Sequence, residues 1–589
     1  MLGGKKMLKT LLAQVKQYKK SSLLTPLFAA LEVVMEVLIP FITAMIIDQG
    51  IEAGNMKKVG LYGSIMLVFA MFSLLFGVLA GKYGANASSG LACNLRDAMY
   101  ENIQTFSFSN IDKYSTAGLV TRMTTDVTNV QNAYQMILRI AVRAPFTLIC
   151  SMIMCFVVNA KLSLIFVIAI IVLGAFIVVV VKTTMKIFDM VFKKYDALNA
   201  SVQENVSAIR VVKAFVREDY ENKKFITAAE NVYKLFVKAE GILAFNGPVM
   251  MLVVYFCIIC LSWFGAKFIV VGNMTTGELT SMFSYIMSIL MSLMMLSMIF
   301  VMTTLSIASG KRIAEVLNDK ADLVNPKNPI MEVKNGSIDF NHVEFTYNDE
   351  AEKDTLIDID LHIHSGETVG IIGGTGCGKS SLVNLISRLY DVNEGSVLVG
   401  GKDVKEYDLE VLRNQVAVVL QKNVLFSGTI LENLRWGNET ATKEECIEAC
   451  KNACADEFIE RFPNKYETYI EQGGSNVSGG QKQRLCIARA LLKKPQILIL
   501  DDSTSAVDTA TDAKIRSVFA KKIPDTTKII IAQRISSVQD ADRILVLDDG
   551  KINGFDTHEN LLKTNEIYQE IYNTQVKGGG DFDQTGGAK

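Results

Sequence analysis

Six apolar runs, each of about 20 residues or more, constrain the fold of this chain more than any other feature. They lie at 23–47, 59–81, 136–158, 162–181, 248–271 and 281–307. Such a run matches the hydrocarbon core of a bilayer, which is about 30 Å thick, and a soluble helix is seldom apolar on all sides over that length. The fourth run has no charged residue from Leu162 to Val181. The pattern predicts six membrane-spanning helices.

The charges that flank these runs predict the orientation of the chain. Lysines are concentrated before the first run, at Lys5, Lys6, Lys9, Lys16, Lys19 and Lys20. Cytoplasmic segments carry the excess of Lys and Arg, so residues 1–20 are expected along the cytoplasmic surface of the membrane. Six crossings then return the chain after residue 308 to the cytoplasm.

Composition indicates that only part of the chain is soluble. The 589 residues exceed the size of one domain several-fold, half of them are hydrophobic, and the mean hydropathy is +0.27. The expected parts are a transmembrane domain, a linker, an α/β domain and a flexible tail, at 21–308, 309–336, 337–576 and 577–589. The net charge of −1 argues against a nucleic-acid-binding protein.

The most specific motif of the soluble part is glycine-rich and follows the apolar segment Val369–Ile372. It fits G-x-x-x-x-G-K-[ST] and comprises Gly373, Gly374, Thr375, Gly376, Cys377, Gly378, Lys379 and Ser380, followed by Ser381. A strand, a glycine turn and a helix start let backbone N–H groups close on phosphates, with the lysine as a point charge and the Ser380 hydroxyl as a Mg²⁺ ligand. The motif predicts a site for ATP and Mg²⁺.

Two further segments extend this prediction. The apolar segment 497–500 ends in Asp501, the expected place of a carboxylate that holds Mg²⁺ through water beside the phosphate loop. Between the two motifs, residues 477–484 read Val-Ser-Gly-Gly-Gln-Lys-Gln-Arg and run into a helical pattern. This stretch resembles the signature motif of the ABC ATPases, and the order of motifs resembles that family over residues 337–575.

The resemblance implies a multidomain membrane protein similar to the type IV ABC exporters. An all-α domain of six transmembrane helices would be followed by an α/β P-loop ATPase domain. In that family two ATPase domains pair head to tail, so that each ATP lies between the phosphate loop of one chain and the signature of the other. The residues expected to contact the partner's nucleotide are Ser478, Gly479, Gly480 and Gln481.

The same resemblance implies roles for other residues. Tyr347 is expected to stack on the adenine ring, although an ordinary strand tyrosine is the alternative. Gln421 is expected to reach Mg²⁺ and to sense the transmembrane part, and Asp508, within 505–508, to lie at the dimer interface. Residues 471–474 loosely match the X-loop of exporters.

The connections between the runs also have the pattern of an exporter. Those at 48–58, 159–161 and 272–280 are short and external, whereas 82–135 and 182–247 are long, charged and internal. In the similar family the long segments continue the membrane helices and carry coupling helices that dock on the ATPase domains. Residues 118–126 and 204–215 resemble family sequences there, and plain amphipathic connectors are the alternative.

Two positions depart from the family pattern. Asp502 stands where the family has a Glu that polarises the attacking water, and Gln533 where it has a His that contacts the γ-phosphate. Aspartate is one methylene shorter, and a displacement near 1 Å can cost about 100-fold in rate. Both departures fall in one ATP site, whereas the signature is intact apart from Val477 in place of the usual Leu. The candidate catalytic residues are Asp502, Gln533 and Gln421.

The membrane part offers two candidate substrate features. Methionines recur at helical spacing on one face of the sixth run, at Met287, Met291, Met294, Met295, Met298 and Met302. Their adaptable side chains suit varied lipophilic substrates, and helix packing is the alternative. Glu32 and Glu36 share a face of the first run, where they either attract cationic compounds or pair with Arg139 or Arg143.

The one-sided pattern resembles the degenerate-site subunit of heterodimeric bacterial multidrug exporters, and this resemblance implies one half of such an exporter in the cytoplasmic membrane. A different half-transporter would supply the catalytic Glu and His opposite this chain's signature, while the site of this chain hydrolyses ATP poorly. The rivals are a homodimer of the same fold, a regulator or channel on the same frame, and a dedicated lipid, peptide or siderophore transporter.

Overall fold

The computed structural model describes residues 2–347, 353–502 and 506–577. The chain divides into two compact units. The first comprises Met1–Gln104 and Ser115–Asp319, and the second comprises Thr105–Tyr114 and the chain from Lys320 onwards.

The first unit is helical. Its helices are α1 (Leu2–Ala13), α2 (Lys19–Ile46), α3 (Met56–Thr105), α5 (Thr116–Thr121), α6 (Val127–Ser207), α7 (Ile209–Ala214), α8 (Glu218–Ala244), α9 (Asn246–Val270) and α10 (Thr276–Asn318), with α4 (Phe108–Lys113) belonging to the second unit. Wider helical turns occur at Ile47–Glu52 and Arg122–Asp126. The 50 residues of α3 correspond to about 75 Å, far more than a bilayer core, so this helix extends well beyond the membrane.

Five helical segments among the described residues are long and apolar enough to cross a membrane, where six runs were predicted. They are Lys16–Glu52, Met56–Thr105, Thr116–Ser207, Glu218–Val270 and Thr276–Leu296. The numbers differ because the third and fourth runs lie in one 92-residue segment, whose backbone becomes extended at Asn159, with φ −156° and ψ 105°. The Asn159 side chain accepts a hydrogen bond from the Leu162 N–H at 3.2 Å and so begins the next helix.

The core of the first unit lies among α2, α6, α9 and α10. Val33, Phe166, Leu261 and Tyr285 are fully buried there. The Tyr285 hydroxyl donates to the Val37 carbonyl at 3.0 Å, which satisfies the one polar atom of this ring. The core fixes the rotation of α10 and thereby decides which of its faces is left exposed.

Helix α10 continues past the predicted domain boundary at 308 to Asn318. The extension is helical because Ser309, Ile313, Ala314 and Val316 are buried on one side of it. The Arg312 Nε also donates to the buried Asp126 carboxylate at 2.7 Å. The first part of the predicted linker 309–336 is thus a structured end of the membrane unit.

The second unit is an α/β domain. Its strands are β1 (Ile338–Phe345), β2 (Leu356–Ile363), β3 (Thr368–Gly373), β4 (Glu394–Val399), β5 (Lys402–Asp403), β6 (Val416–Val419), β7 (Gly428–Thr429), β8 (Tyr469–Ile470), β9 (Ile497–Asp501), β10 (Thr527–Ile531), β11 (Arg543–Asp548) and β12 (Lys551–Asp556). Its helices, besides α4, are α11 (Lys379–Ile386), α12 (Leu409–Gln415), α13 (Ile430–Arg435), α14 (Lys443–Asn452), α15 (Asp456–Ile459), α16 (Gly479–Leu491), α17 (Thr509–Lys522), α18 (His558–Thr564) and α19 (Glu566–Lys577).

The larger sheet brings the sequence motifs together. Its order is β12-β11-β3-β10-β9-β6, and all neighbours are parallel except β11 and β12. Every residue of β9 and β10 is buried, as expected for strands covered on both faces. Because β3, β10 and β9 are adjacent and parallel, the residues that follow them meet at one edge of the sheet. A second sheet, β2-β1-β4-β5, is antiparallel.

Helix α4 packs within the second unit. The Phe108 and Tyr390 rings lie edge to face with centroids 6.1 Å apart, and the Tyr390 hydroxyl donates to Asp112 at 2.6 Å. The Asn110 amide also donates to the Lys320 carbonyl at 3.0 Å. The stretch 118–126, which resembles family sequences, instead lies in α5 and the turn after it. Helix α4 therefore precedes this stretch, within the predicted internal segment 82–135.

Candidate nucleotide site

The phosphate loop joins β3 to α11, as its sequence predicts. Gly378 is the residue before the helix and has φ +96°, which side-chain-bearing residues rarely adopt. A Cβ at this position would also lie 2.9 Å from the Thr355 carbonyl oxygen. A Cβ at Gly374 or Gly376 would meet no atom within 4 Å, so this side of the loop is an open cradle of backbone. The loop has the shape that phosphate oxygens require.

Lys379 folds back over this loop. Its Nζ donates to the carbonyl oxygens of Gly373 and Gly374 at 2.8 and 2.7 Å. The ammonium therefore lies above the backbone cradle, as the motif predicts. A phosphate at this place would replace two neutral acceptors by charged ones, so that both partners of each hydrogen bond would be ionised.

Ser380 and Asp501 meet across the edge of the sheet. The Ser380 hydroxyl is hydrogen bonded to the Asp501 carboxylate, which is buried at the end of β9. Burial raises the pKa of Asp501, and the negative charge of Asp502 raises it further. The hydrogen bond from Ser380 and the positive charge of Lys379 act in the opposite direction. A hydroxyl and a carboxylate are hard oxygen donors of the kind that Mg²⁺ prefers. The pair fits a nucleotide-bound Mg²⁺.

Asp502 and Gln533 contact each other directly. The Gln533 Nε2 donates to the Asp502 Oδ2 at 2.8 Å. Asp502 has φ +48°, and its N–H donates to the Ile531 carbonyl at 3.0 Å, which ties the end of β9 to the end of β10. The two departures from the family pattern thus form one hydrogen-bonded pair. In this pair the neutral Gln533 amide donates a hydrogen bond to the Asp502 carboxylate.

Sequence reasoning did not predict a third member of this arrangement, Gln575 in α19. Its Nε2 donates to the Gln533 carbonyl at 2.8 Å, and its Oε1 accepts from the Ile535 N–H at 2.9 Å. The turn that carries Gln533 is therefore clamped by the C-terminal helix. No motif surrounds Gln575, and it lies 42 residues from Gln533, so the sequence gives no local signal for this contact.

Tyr347 is the last residue of the first described segment, 2–347. Its hydroxyl is 2.9 Å from the Ser381 hydroxyl in α11, and its ring lies edge to face with Phe345 and Tyr390, at 4.8 and 5.0 Å between centroids. Half of the tyrosine remains exposed. An exposed aromatic ring beside the first turn of α11 is suitably placed for stacking on a base. Gln421 follows β6 and is exposed.

The signature forms the start of α16. Ser478 is the N-cap: its Oγ accepts from the Gln481 N–H at 3.3 Å, while its own N–H donates to the Gln481 Oε1 at 2.9 Å. This reciprocal capping leaves the N–H groups of Gly479 and Gly480 at the helix end, where an anion is favoured. A Cβ at Gly480 would lie 2.7 Å from the Ala506 carbonyl oxygen, so close packing requires a glycine there.

The interface segment after β9 packs against this helix. The Ala506 N–H donates to the buried Gln483 side chain at 3.0 Å. Asp508 caps α17 by accepting from the Thr511 N–H at 2.9 Å, and this bond lowers the pKa of Asp508. Ser505, the first residue of the predicted segment, lies outside the described residues. In the predicted X-loop, Glu471 accepts from the Ser475 hydroxyl at 2.7 Å.

Comparisons with known proteins agree with this geometry. Residues 22–294 match the family model described as the ABC transporter transmembrane region, and residues 356–505 match the family model described as ABC transporter. The uncharacterised ABC transporter ATP-binding protein YfiB of Bacillus subtilis is 37% identical over 544 residues, covering 92% of this chain and 94% of the relative. The chain belongs to the ABC transporter family.

Two other relatives share this layout. An uncharacterised ABC transporter ATP-binding protein of Mycobacterium tuberculosis, Rv1273c, is 35% identical and covers 97% of this chain and 98% of the relative. The ATP-dependent lipid A-core flippase of Desulfotalea psychrophila is 32% identical and covers 87% and 89%. The chain is an ABC exporter-type half-transporter: a membrane-embedded helical domain joined to a cytoplasmic ATPase that binds ATP and couples its hydrolysis to transport.

In the membrane unit of this transporter, the structure pairs Glu32 and Glu36 with a single arginine. Arg143 donates from one terminal nitrogen to Glu32 at 2.7 Å and from the other to Glu36 at 2.8 Å. Arg139, the other predicted partner, forms no ion pair with any residue that the structure describes. The two carboxylates are therefore part of a structural network between α2 and α6.

The methionine face of α10 points away from the core of its own unit. Met287, Met291, Met294, Met295, Met298 and Met302 are all between 37% and 56% exposed. The opposite face, with Met282, Tyr285, Ile286 and Ile289, is buried. Packing inside the described part of this unit therefore covers only part of each methionine. The exposed part of this face is left to contact a partner subunit, lipid or a transported molecule.

Proposed function

We propose that this chain is the weakly hydrolysing half of a heterodimeric ABC exporter of lipophilic compounds. Its own phosphate loop would hold ATP with Mg²⁺ bound by Ser380, Gln421 and Asp501. Its signature would complete the competent ATP site of a different half-transporter. Turnover of the complex would then depend mainly on the partner's catalytic carboxylate.

The hydrogen bond between Gln533 and Asp502 is the observation that carries this proposal. A general base must accept a proton from water, and the donated amide N–H of Gln533 already occupies the Asp502 Oδ2 that would do so. Aspartate is also one methylene shorter than glutamate, and misplacement by 1 Å costs about 100-fold in rate. The neutral Gln533 offers no positive charge to the γ-phosphate. Each effect weakens hydrolysis at this site and spares binding.

The organisation of the signature supports the second part of the proposal. Its helix is capped, and its glycines fit tightly against Ala506. A signature that completes the ATP site of another chain still needs this capping and close packing. If the whole domain had lost its function, changes in the signature would be expected alongside those at Asp502 and Gln533.

The subunit composition of the purified transporter provides the first test. Isolated from its native cells through a tag on this chain alone, the complex is expected to contain one copy of this chain and one copy of a different half-transporter by native mass spectrometry. A stable complex of two copies of this chain that exports substrate contradicts the heterodimer.

Restoring the family residues provides the second test. In a complex whose partner carries Gln in place of its catalytic Glu, the double variant Asp502→Glu, Gln533→His is expected to raise phosphate release by about tenfold or more, since it recovers both reach and charge. The matched control is Asp502→Gln with Gln533→His, which has the same side-chain length but no base. Equal rates in the two double variants contradict the role given to Asp502.

The relatives favour a second candidate substrate class. One relative, at 32% identity over most of both chains, is named a lipid A-core flippase. Transport of a lipid-like molecule is therefore a specific alternative to transport of varied drugs.

A further inference from the structure

A cavity of about 280 Å³ lies between α6 and α10 within the membrane unit. Its walls combine cations with apolar side chains, namely Met136, Arg139, Ile140, Arg143, Met295, Met298 and Ile299. Among the described residues that line it, none is acidic. Because Arg143 pairs with Glu32 and Glu36, the charge that this lining offers to a ligand comes from Arg139. Of the two roles expected for the carboxylates, the structure has the pairing with an arginine.

The two arginines have different surroundings. Arg143 is neutralised, because it bridges Glu32 and Glu36. Arg139 is half-buried and, within the described part of the chain, has no hydrogen-bond or ion-pair partner. An ionisable side chain that lines a cavity of a membrane domain without a counter-ion is a candidate functional residue. Its planar guanidinium has five N–H donors, which suit a carboxylate or phosphate.

The depth of the cavity indicates how an occupant would lie. Arg139 precedes the bend at Asn159 by 20 residues, or about 30 Å along a helix, which places it near the cytoplasmic boundary of the hydrocarbon core. Met298 lies 22 residues after Thr276, the start of α10, and reaches a similar depth. From Met298 the exposed methionine face continues to Met287, about 16 Å towards the outer side.

The geometry points to a binding site for an amphiphile with an anionic headgroup. The headgroup would lie against Arg139 at the level of the inner leaflet, with Arg143 donating from its remaining N–H groups. The apolar tail would follow the methionine face of α10. Met side chains adapt to tails of different shape, while the arginine selects the charge. This assignment rests on the proposed export of lipophilic compounds and names their class.

The test uses the full-length transporter in nanodiscs of phosphatidylcholine, without ATP. The probe is phosphatidic acid with a fluorescent acyl chain, and its binding is followed by anisotropy. Arg139→Gln is expected to weaken binding about tenfold or more, because it removes charge-assisted hydrogen bonds, and Arg139→Lys is expected to recover part of the loss. Dodecyl phosphate should compete with the probe, whereas dodecyltrimethylammonium and inorganic phosphate should not.

A matched variant separates this site from general attraction to lipid headgroups. Lys82 is exposed on α3 and does not line the cavity. The preceding residue, Gly81, has a Cβ position 3.8 Å from an Arg139 terminal nitrogen, so the Lys82 backbone lies at the same depth as Arg139. Lys82→Gln should leave the affinity unchanged. Equal losses in Lys82→Gln and Arg139→Gln overturn the proposal, as does competition by inorganic phosphate alone, which would indicate a free-phosphate site.

The rival occupant is a cation drawn by the half-exposed Glu36 or by the second oxygen of Glu32, which is buried without a partner among the described residues. If dodecyltrimethylammonium displaces the probe and Glu36→Gln abolishes that effect, the site selects cations and the proposal is wrong. Binding is measured without hydrolysis, so this outcome is independent of which ATP site turns over. Retained affinity in Arg139→Gln would overturn the substrate class alone.

Discussion

The phosphate-loop half and the signature half of the ATPase unit differ in what their internal hydrogen bonds do. In the phosphate-loop half, Lys379 donates to two loop carbonyls, and Asp502 accepts from Gln533. Those bonds engage the side chains that would act on a nucleotide. In the signature half, Ser478 and Gln481 cap each other and so hold α16 with its first N–H groups directed outwards.

Under the proposed function, this difference would give one fold two sites of unequal activity. Preorganised donors stabilise a transition state because they need no rearrangement when the charge develops. The signature end has that property, whereas Asp502 must first break its bond to Gln533. Variants of each half therefore test whether the inequality is real, and the expected effects differ in size.

The largest effect is expected from Gly479→Asp. A Cβ here would lie 3.5 Å from the Ala506 Cβ, an ordinary contact, so the variant should fold, but its carboxylate would face the γ-phosphate of the partner's nucleotide. Steady-state phosphate release is expected to fall about 100-fold or more, the size of a lost electrostatic stabiliser. Gly479→Ala, which adds no charge, is the matched control and should lose much less.

Lys379→Ala is expected to have the next largest effect, on binding. It removes the ammonium above the loop, and a charge-assisted bond is worth about 1.5–3 kcal/mol, or roughly 10- to 150-fold in affinity. Photolabelling of this chain by 8-azido-ATP measures the loss, with Lys402→Ala in the exposed strand β5 as a control. Undiminished labelling would break the assignment of the phosphate loop.

The sequence was sufficient wherever function depends on neighbours along the chain. The glycine turn after β3, Asp501 at the end of β9 and the capped signature all follow from local strand-turn-helix patterns. The methionine stripe also follows from helical spacing. In each case the backbone geometry that positions the residue is encoded within a few positions of it.

Contacts between distant segments were not predictable in this way. Asp112 and Tyr390 are 278 residues apart, and no pattern relates them. The two possible partners of Glu32 and Glu36 are one helical turn apart, and only packing of α2 against α6 decides for Arg143. That choice is also what leaves Arg139 at the cavity. The merging of two runs at Asn159 depends on one residue's backbone angles.

A smaller effect is expected from Gln575→Ala, which would loosen the turn that carries Gln533. It removes two hydrogen bonds, each worth about 1 kcal/mol, so amide exchange of Ile535 should accelerate about tenfold or more. Hydrogen exchange of peptides covering 529–538 reports this directly. Thr574→Ala on the same helix is the control, and equal exchange in both variants would show that the clamp is unimportant.

The smallest effect is expected from Asp502→Asn. If Gln533 already occupies this carboxylate, removing its charge costs little further activity, less than about 1 kcal/mol in activation free energy or about fivefold in rate. The asparagine can still accept from Gln533, so the pairing of β9 and β10 is kept.

The measurement is phosphate release by the purified complex, with the equivalent amide variant of the partner's catalytic Glu as the matched comparison. That partner variant should nearly abolish turnover, because the competent base would be lost. Should Asp502→Asn abolish hydrolysis while Gly479→Asp leaves it intact, the working site is this chain's own, and the inequality between the two halves is reversed.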